Sequence, residues 1–448
     1  MHIVNNYIFD PDRLVFYKPD IQKNLLEQIP VDDQFLDLKR CLDKFDKNDM
    51  TAKGKPIDQI GICLTYNCNL KCNYCSYSST NGHSDCLSVD DIMSFVIEAV
   101  KSKKMYDIVH EKKDTTLRFF FTGGGEPTYN WKLFSSVVTE IKRICKKYNI
   151  TPHLELTTNG MLNVEKQDFI ISNFDKVMVS YDGMESLQNN NRKCPDLKDS
   201  SDIVEKSLIR LIKGGVPVTI RSSIFQKDLN LLKEIYDNIV KRFWGAAEWS
   251  IMPIIPVGRA LDAISEREYD TSEEKTFLDY YIELNEYAKG QEKRMYISSP
   301  LFINSIADYC CGATFNECFW IMPDKTINNC IEAEVETLRT NVGCIENGKV
   351  KLYDKYYDSQ LDEVKYSFSN CRECIAYRFC KGGCPLKAIR DRKNKTSYKL
   401  YECSMLKKYW KYVLSEILLG KECFGWGIEP ICVDDLGENV IYKLVRND

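Results

Sequence analysis

From Ile57 onward, short runs of β-branched or aromatic residues alternate with helix-like stretches, and this rhythm constrains the fold more than any other feature. The strand candidates are Gln59–Thr65, Thr116–Thr122, His153–Thr157, Lys176–Ser180, Pro217–Ile224 and Glu248–Pro256. The helix candidates lie around Ser88–Lys103, Trp131–Tyr148, Glu165–Ser172, Ser201–Lys213, Leu229–Phe243 and Ser272–Ala288. Ser88 and Asp91 would open the first helix as a capping box with the shorter acid. Alternation of this kind implies a parallel sheet with crossover helices. Six units are too few for a closed eight-unit barrel, so the expected class is α/β, a partial (β/α)6 TIM-like barrel. Its chemistry belongs at the C-terminal ends of the strands. After about Leu301 a cysteine-rich, loop-rich extension replaces the rhythm. Before Ile57 the chain is polar and mixed, with candidate amphipathic helices around Ile21–Ile29 and Phe35–Phe45.

The 448-residue chain contains 20 cysteines, in short-spaced groups. The start MHIVNNYIFDPDR lacks the basic-then-apolar form of a signal peptide, and no apolar run approaches membrane-spanning length. A cytoplasmic protein with no membrane partner is the expectation, and there grouped cysteines serve as thiolate ligands more often than as disulfides. The net charge of −4 gives no support to nucleic-acid binding.

Cys68, Cys72 and Cys75 stand as Cys-x3-Cys-x2-Cys in one loop after the first strand. Three thiolates so close can hold three irons of a [4Fe–4S] cube and leave the fourth open. A zinc loop is the alternative, but it usually asks for a fourth ligand, and only His83 is near. FFFTGGGEPT, LTTNG, VSYDG and PIIPVGRA end the second, third, fourth and sixth strand candidates.

With Tyr74 before the third cysteine, this constellation resembles the radical S-adenosylmethionine (SAM) superfamily. The resemblance implies that the open iron chelates SAM and that one electron cleaves it to a 5′-deoxyadenosyl radical. It maps the SAM amino-group site onto Gly124, Gly125 and Glu126, and makes Ser180 a SAM contact. The backbone near Arg259 would flank adenine. Arg192 and Arg221 could grip the SAM carboxylate through a bidentate fork, although a structural role fits either equally. Asp182 reads first as part of an Asp-Gly turn.

The second cysteine array is Cys371, Cys374, Cys380 and Cys384, with Cys403 following and Cys311, Cys318 and Cys330 upstream. It resembles the SPASM extension of peptide, sulfatase and quinone-cofactor maturases. That resemblance implies one auxiliary [4Fe–4S] cluster on Cys311, Cys318, Cys330 and Cys384. A second would sit on Cys371, Cys374, Cys380 and Cys403, giving three clusters with SAM as the further cofactor. Paired four-thiolate zinc sites are the alternative. Two departures stand out: Lys325 replaces the usual glycine five residues before Cys330, and the Cys310–Cys311 doublet leaves the first ligand open. The remaining cysteines, Cys63 among them, read as ordinary thiols.

The expected organisation is an extension over 1–57 (a candidate reduced peptide-recognition element), the barrel over 58–265 and a connector over 266–305. The SPASM domain follows over 306–410, then a tail over 411–448. Sulfatase maturases carry Asp directly after the third SPASM cysteine, where this chain has Ile331; Glu332 is next and is the candidate proton acceptor. The favoured reading is an oxidoreductase that installs a thioether, ether or carbon–carbon crosslink in a ribosomally made precursor peptide. Oxidation of Cys or Ser to formylglycine and a non-catalytic electron-transfer role are the alternatives. A flavodoxin or ferredoxin would supply electrons. The basic run Lys387, Arg390, Arg392, Lys393, Lys395 and Lys399 is either a solvated helix face or a docking patch for that donor.

Overall fold

The computed structural model describes residues 2–11, 13–19, 57–79, 82–113, 115–196, 199–264, 275–302, 318–332, 341–353, 371, 373–395, 397–433 and 440–446. The candidate helices before Ile57 and the Cys310–Cys311 doublet lie outside them.

The expected alternation folds into a large mixed sheet. From one edge its strands are Ile297–Ser298, Glu248–Pro253, Val218–Ile224, Lys176–Ser180, Thr151–Thr158, Thr116–Phe121 and Gln59–Ile62. Cys318–Ile321 adds on beside Gln59–Ile62, and all eight run parallel. An antiparallel meander of Thr326–Asn328, Asn341–Glu346 and Lys349–Leu352 completes the sheet. The class is α/β, as the rhythm implies, and no pairing among the described residues closes the sheet.

Local chemistry explains the helices. Ser88 accepts from the Asp91 amide while Asp91 accepts from the Ser88 amide, so Val89–Val109 starts with a complete capping box. Trp131–Tyr148 begins on Asn130 and stops at Asn149, which takes the left-handed conformation that Asn tolerates. Its Phe134, Val137, Val138, Ile141 and Ile144 recur at helical spacing and are buried.

Two features have no local signal. The cysteine-rich region contributes a strand to the main sheet, where the Trp320 ring occupies the space left by Gly61. The chain ends form a separate antiparallel sheet, ordered His2–Val4, Tyr7–Asp10, Val15–Tyr17, Val440–Arg446 and Trp426–Val433. Phe9 and Phe16 are both buried, with tilted rings 4.8 Å apart. The ends treated as extension and tail thus share one sheet.

Lys325 occupies the hairpin turn between Cys318–Ile321 and Thr326–Asn328 with φ of 68°. A residue with a side chain costs roughly 1–2 kcal/mol there. Its ammonium lies 3.0 Å from Asp91, so the turn forms without the usual glycine.

Candidate active site

The loop carrying Cys68, Cys72 and Cys75 leaves the Gln59–Ile62 strand and is held along its length. At its base the Asn67 amide side chain donates to Asp85 (2.8 Å) and accepts from the Gly82 and His83 amides (2.8 and 2.9 Å). In its middle, Lys71–Cys72 pairs antiparallel with Arg192–Lys193. At its end Arg259 donates from Nε to the Cys72 carbonyl (2.7 Å) and from Nη1 to the Ser79 carbonyl (3.0 Å). The Arg259 amide donates to the Cys75 carbonyl (3.0 Å). The structure thus gives the Arg259 side chain a loop-clasping role.

Burial pushes the Cys68 thiol up to about 12 and Cys72 up to about 11. Bare thiolates are therefore disfavoured, and an iron–sulfur cluster would supply the positive charge that stabilises them. The Leu70 amide donates to Cys68 Sγ (3.4 Å), and Asn159 Nδ2 lies 3.8 Å from the same sulfur. Donors aimed at cluster sulfurs are a normal means of tuning such sites, so this loop fits the group.

The Gly123–Glu126 segment lies alongside. The Gly125 amide donates to the Thr65 carbonyl (2.7 Å), and the Glu126 amide to that of Asn67 (2.9 Å). A Cβ on Gly125 would overlap the Asn67 carbonyl, so only glycine permits this approach. Glu126 is buried, and burial raises its pKa. Its carboxylate accepts from the Thr128 amide (3.2 Å) and hydroxyl (2.8 Å), the Thr158 hydroxyl (2.8 Å) and the Asn159 amide (2.8 Å). It therefore binds the second strand end to the third. Gly125→Val should weaken SAM binding on the order of tenfold or more, since overpacking of this kind costs roughly 1–3 kcal/mol. Equilibrium dialysis on the folded variant checks this; unchanged affinity would mean the segment is only a turn.

Asp182 is the residue that sequence reasoning underrated. It is fully buried and accepts from Tyr74 Oη (2.6 Å), Arg192 Nε (3.1 Å) and Asn191 Nδ2 (3.4 Å). Its own amide donates to Gln188 (3.0 Å). The Arg192 guanidinium lies 5.2 Å from the Tyr74 ring centroid. Burial works against the charge on Arg192, yet Asp182 beside it raises its pKa. Burial is also the first cause that lifts the Tyr74 hydroxyl well above its ordinary value. The Asp-Gly turn forms as well, with Gly183 at φ of 90°.

Arg221 differs. It stands in register with Ser180 on one neighbouring strand and Ser250 on the other. Nη1 donates to Ser250 Oγ (2.9 Å) and Nη2 to Met252 Sδ (3.0 Å). Among the described residues no carboxylate lies within 4 Å of it. Burial pushes its pKa down to about 10. Glu248 acts on this half-buried cation only from beyond ion-pair distance, which leaves its guanidinium suited to an anionic ligand. Arg221→Gln should weaken SAM binding by about tenfold to a hundredfold, the worth of a hydrogen bond to a charged group. Arg192→Gln should instead lower Tm, because its partner is already in the protein. Equal effects of the two on SAM affinity would contradict this division.

In the C-terminal region, Cys371, Cys374, Cys380 and Cys403 come close enough to influence one another electrostatically, and burial pushes Cys380 up to about 12. Cys318 begins its strand, Cys330 follows the hairpin, and Cys384 precedes the helix Pro385–Asn394. Among the described residues no three His, Cys, Asp or Glu converge tightly enough for a single ion. Cys63 is buried in the core, as expected.

The residues after Cys330 reach the first cysteine loop. Tyr77 Oη donates to the Ile331 carbonyl (2.8 Å), and a Cβ on Gly123 would overlap the Ile331 side chain. Arg390 donates from Nη1 to the Glu332 carboxylate (3.0 Å) and from Nη2 to its carbonyl (2.6 Å). The basic run is therefore not a simple solvated face. Arg390 is held by Glu332, Lys387 pairs with Glu402 (2.5 Å), and Lys399 donates to the Gly382 and Cys384 carbonyls (2.5 and 3.2 Å).

Residues 62–230 match the radical SAM superfamily model, so the chain carries a radical SAM domain. It is an enzyme with oxidoreductase-type chemistry, and that domain's cofactors are a [4Fe–4S] cluster and SAM. More narrowly, it is similar to anaerobic sulfatase-maturating enzymes. It is 24% identical over 366 residues to the cysteine-type anaerobic sulfatase-maturating enzyme of Clostridium perfringens (strain ATCC 13124), covering 78% of this chain and 94% of that one. The structure of native anSMEcpe with bound AdoMet has a TM-score of 0.59 at 20% identity, covering 81% of this chain and 98% of that chain. Streptococcus suis SuiB bound to precursor peptide SuiA has a TM-score of 0.50 at 16% identity, covering 75% and 73%. Among the described residues, no helix is long and apolar enough to cross a membrane.

Proposed function

We propose that this enzyme matures a ribosomally made peptide by joining two of its side chains through a thioether, ether or carbon–carbon bond. The carrying observation is Ile331. This apolar side chain lies against Gly123, beside the segment expected to bind SAM, at the position where formylglycine-forming relatives are expected to have an acid. Forming an aldehyde from Cys or Ser requires a base for the substrate's thiol or hydroxyl proton. Glu332 is the next acid, and its pairing with Arg390 favours a positioning role over that of proton acceptor.

When bound, the cluster and SAM supply a 5′-deoxyadenosyl radical that removes a hydrogen atom from the substrate. In this reading Cys68, Cys72 and Cys75 hold the SAM cluster, and Arg221 with Ser180 binds the SAM carboxylate. Gly124 and Gly125 bring backbone groups to the SAM amino group, while Glu126, Tyr74, Arg192 and Arg259 keep the loops in place. Cys311, Cys318, Cys330 and Cys384 hold one auxiliary cluster, and Cys371, Cys374, Cys380 and Cys403 the other. The proposed units are 1–57, 58–265, 266–305, 306–410 and 411–448. The pairing of the chain ends favours counting the first and last together. A peptide substrate is supported by the relatives: SuiB is described with precursor peptide SuiA, and anSMEcpe with the Cp18Cys peptide.

Formylglycine formation is the second reading, supported by the alignment to 94% of a sulfatase-maturating enzyme. Mass spectrometry separates the two. The reconstituted enzyme, with SAM and dithionite, is offered a library of peptides containing Cys, Ser, Lys and Trp. Crosslinking leaves a product two hydrogens lighter with all its sulfur retained and a new bridge in its fragmentation. Replacement of a cysteine sulfur by an aldehyde oxygen would contradict the proposal.

A further inference from the structure

The loop bearing Cys72 also carries an exposed patch of positive charge. Lys71 precedes Cys72 in a two-residue antiparallel ladder and lies directly opposite Lys193, which follows Arg192. Both lysines are exposed. Like charges paired across strands repel one another, so this ladder is destabilised unless something else relieves it. Lys193 also lines a shallow cavity of about 410 Å³ with Asn73, Phe225, Lys227, Arg259 and Asp262. Lys227 is exposed, with its ammonium 5.3 Å from the Phe225 ring centroid.

Among the described residues none of Lys71, Lys193 and Lys227 has a carboxylate within 4 Å. Many other surface lysines do have one: Lys206 meets Asp202, Lys275 meets Glu283, Lys289 meets Glu286 and Lys408 meets Asp279. Among the described residues, Asp262 and the half-buried Asp228 are the acids near the patch, and against Lys71, Lys193, Lys227 and Arg259 they leave it net positive. The patch is also close to the reactive loop. Arg259, in the cavity wall, donates to the Cys72 carbonyl. The basic run after Cys384 offers much less, since Lys387, Arg390 and Lys399 are engaged internally.

We propose that Lys71, Lys193 and Lys227 form the docking face for an acidic, one-electron carrier protein that reduces the cluster held by Cys68, Cys72 and Cys75. The inference rests on that cluster assignment and is independent of which bond the enzyme makes. One electron leaves the reduced carrier, which is oxidised by one electron, and the cluster gains it; no bond forms and no proton moves. Complementary charge steers the encounter and is screened by salt.

The test uses the reconstituted full-length holoenzyme with a flavodoxin as the probe. Binding is measured by microscale thermophoresis at about 20 mM and about 300 mM salt, where screening lengths differ several-fold. The K71E/K193E/K227E variant should bind at least about tenfold more weakly at low salt, with the gap narrowing at high salt. Its flavodoxin-driven release of 5′-deoxyadenosine should fall in step, while in K227E, which lies outside the Lys71–Cys72 ladder, dithionite-driven release and Tm stay at the unmutated values. Unchanged flavodoxin affinity in this variant would overturn the proposal. So would an equal loss in R392E/K395E, which would place docking on the C-terminal helix. Failure of dithionite-driven cleavage in the unmutated enzyme would overturn the cluster assignment itself. That result is distinguishable because binding is read separately.

Discussion

Replacing Cys68, Cys72 and Cys75 together with alanine should abolish SAM cleavage while leaving the C-terminal clusters in place. The reason is spatial: the three thiols occupy one loop, fixed by Asn67, Arg259 and the Lys71–Cys72 ladder. Cys371, Cys374, Cys380 and Cys403 are gathered separately. With four irons per cubane, iron content should fall from about twelve to about eight per chain. Iron and sulfide analysis beside chromatography of 5′-deoxyadenosine checks both halves. A triple variant that still produces 5′-deoxyadenosine would refute the site.

Asp182→Ala should destabilise the protein by about 3–5 kcal/mol, because it strands the Arg192 guanidinium in the interior. Asp182 is fully buried, and the Arg192 side chain is only 8% exposed, so water cannot replace the lost partner. The same change frees Tyr74 and loosens the ladder that positions Cys72, so SAM binding should weaken too. Asp182→Asn should fall between, since it keeps an acceptor for Tyr74 but loses the charge. Chemical denaturation of the three proteins tests the order. Equal stability of Asp182→Ala and the unmutated protein would show that Arg192 has found another partner.

The sequence was most legible where the signal was periodic or closely spaced. Lys176–Ser180, Trp131–Tyr148 and Ser201–Lys213 lie where the apolar pattern puts them, because the strand buries Val177 and Val179 and each helix buries one apolar face. The cysteine loop and glycine segment were visible because their residues are adjacent in the chain. What remained hidden depends on distant partners. Val15–Tyr17 is three residues long and finds its neighbour at Tyr442–Lys443, a pairing that no local pattern encodes. Cys318–Ile321 joins the sheet through Trp320 over Gly61, again a contact between remote segments. Asp182 reads as a turn residue until Tyr74 and Arg192 converge on it. The same holds for Arg390, which looks like one charge in a basic run and proves to be the partner of Glu332.

Reductive cleavage of SAM at the Cys68, Cys72 and Cys75 loop is the activity on which the other expectations depend. The most direct measurement is anaerobic: reconstituted protein, SAM and dithionite, with 5′-deoxyadenosine and methionine quantified together. Equimolar formation of both, dependent on reductant and on the intact loop, is the predicted result. A protein that holds its full complement of iron and binds SAM, yet releases no 5′-deoxyadenosine, would contradict it.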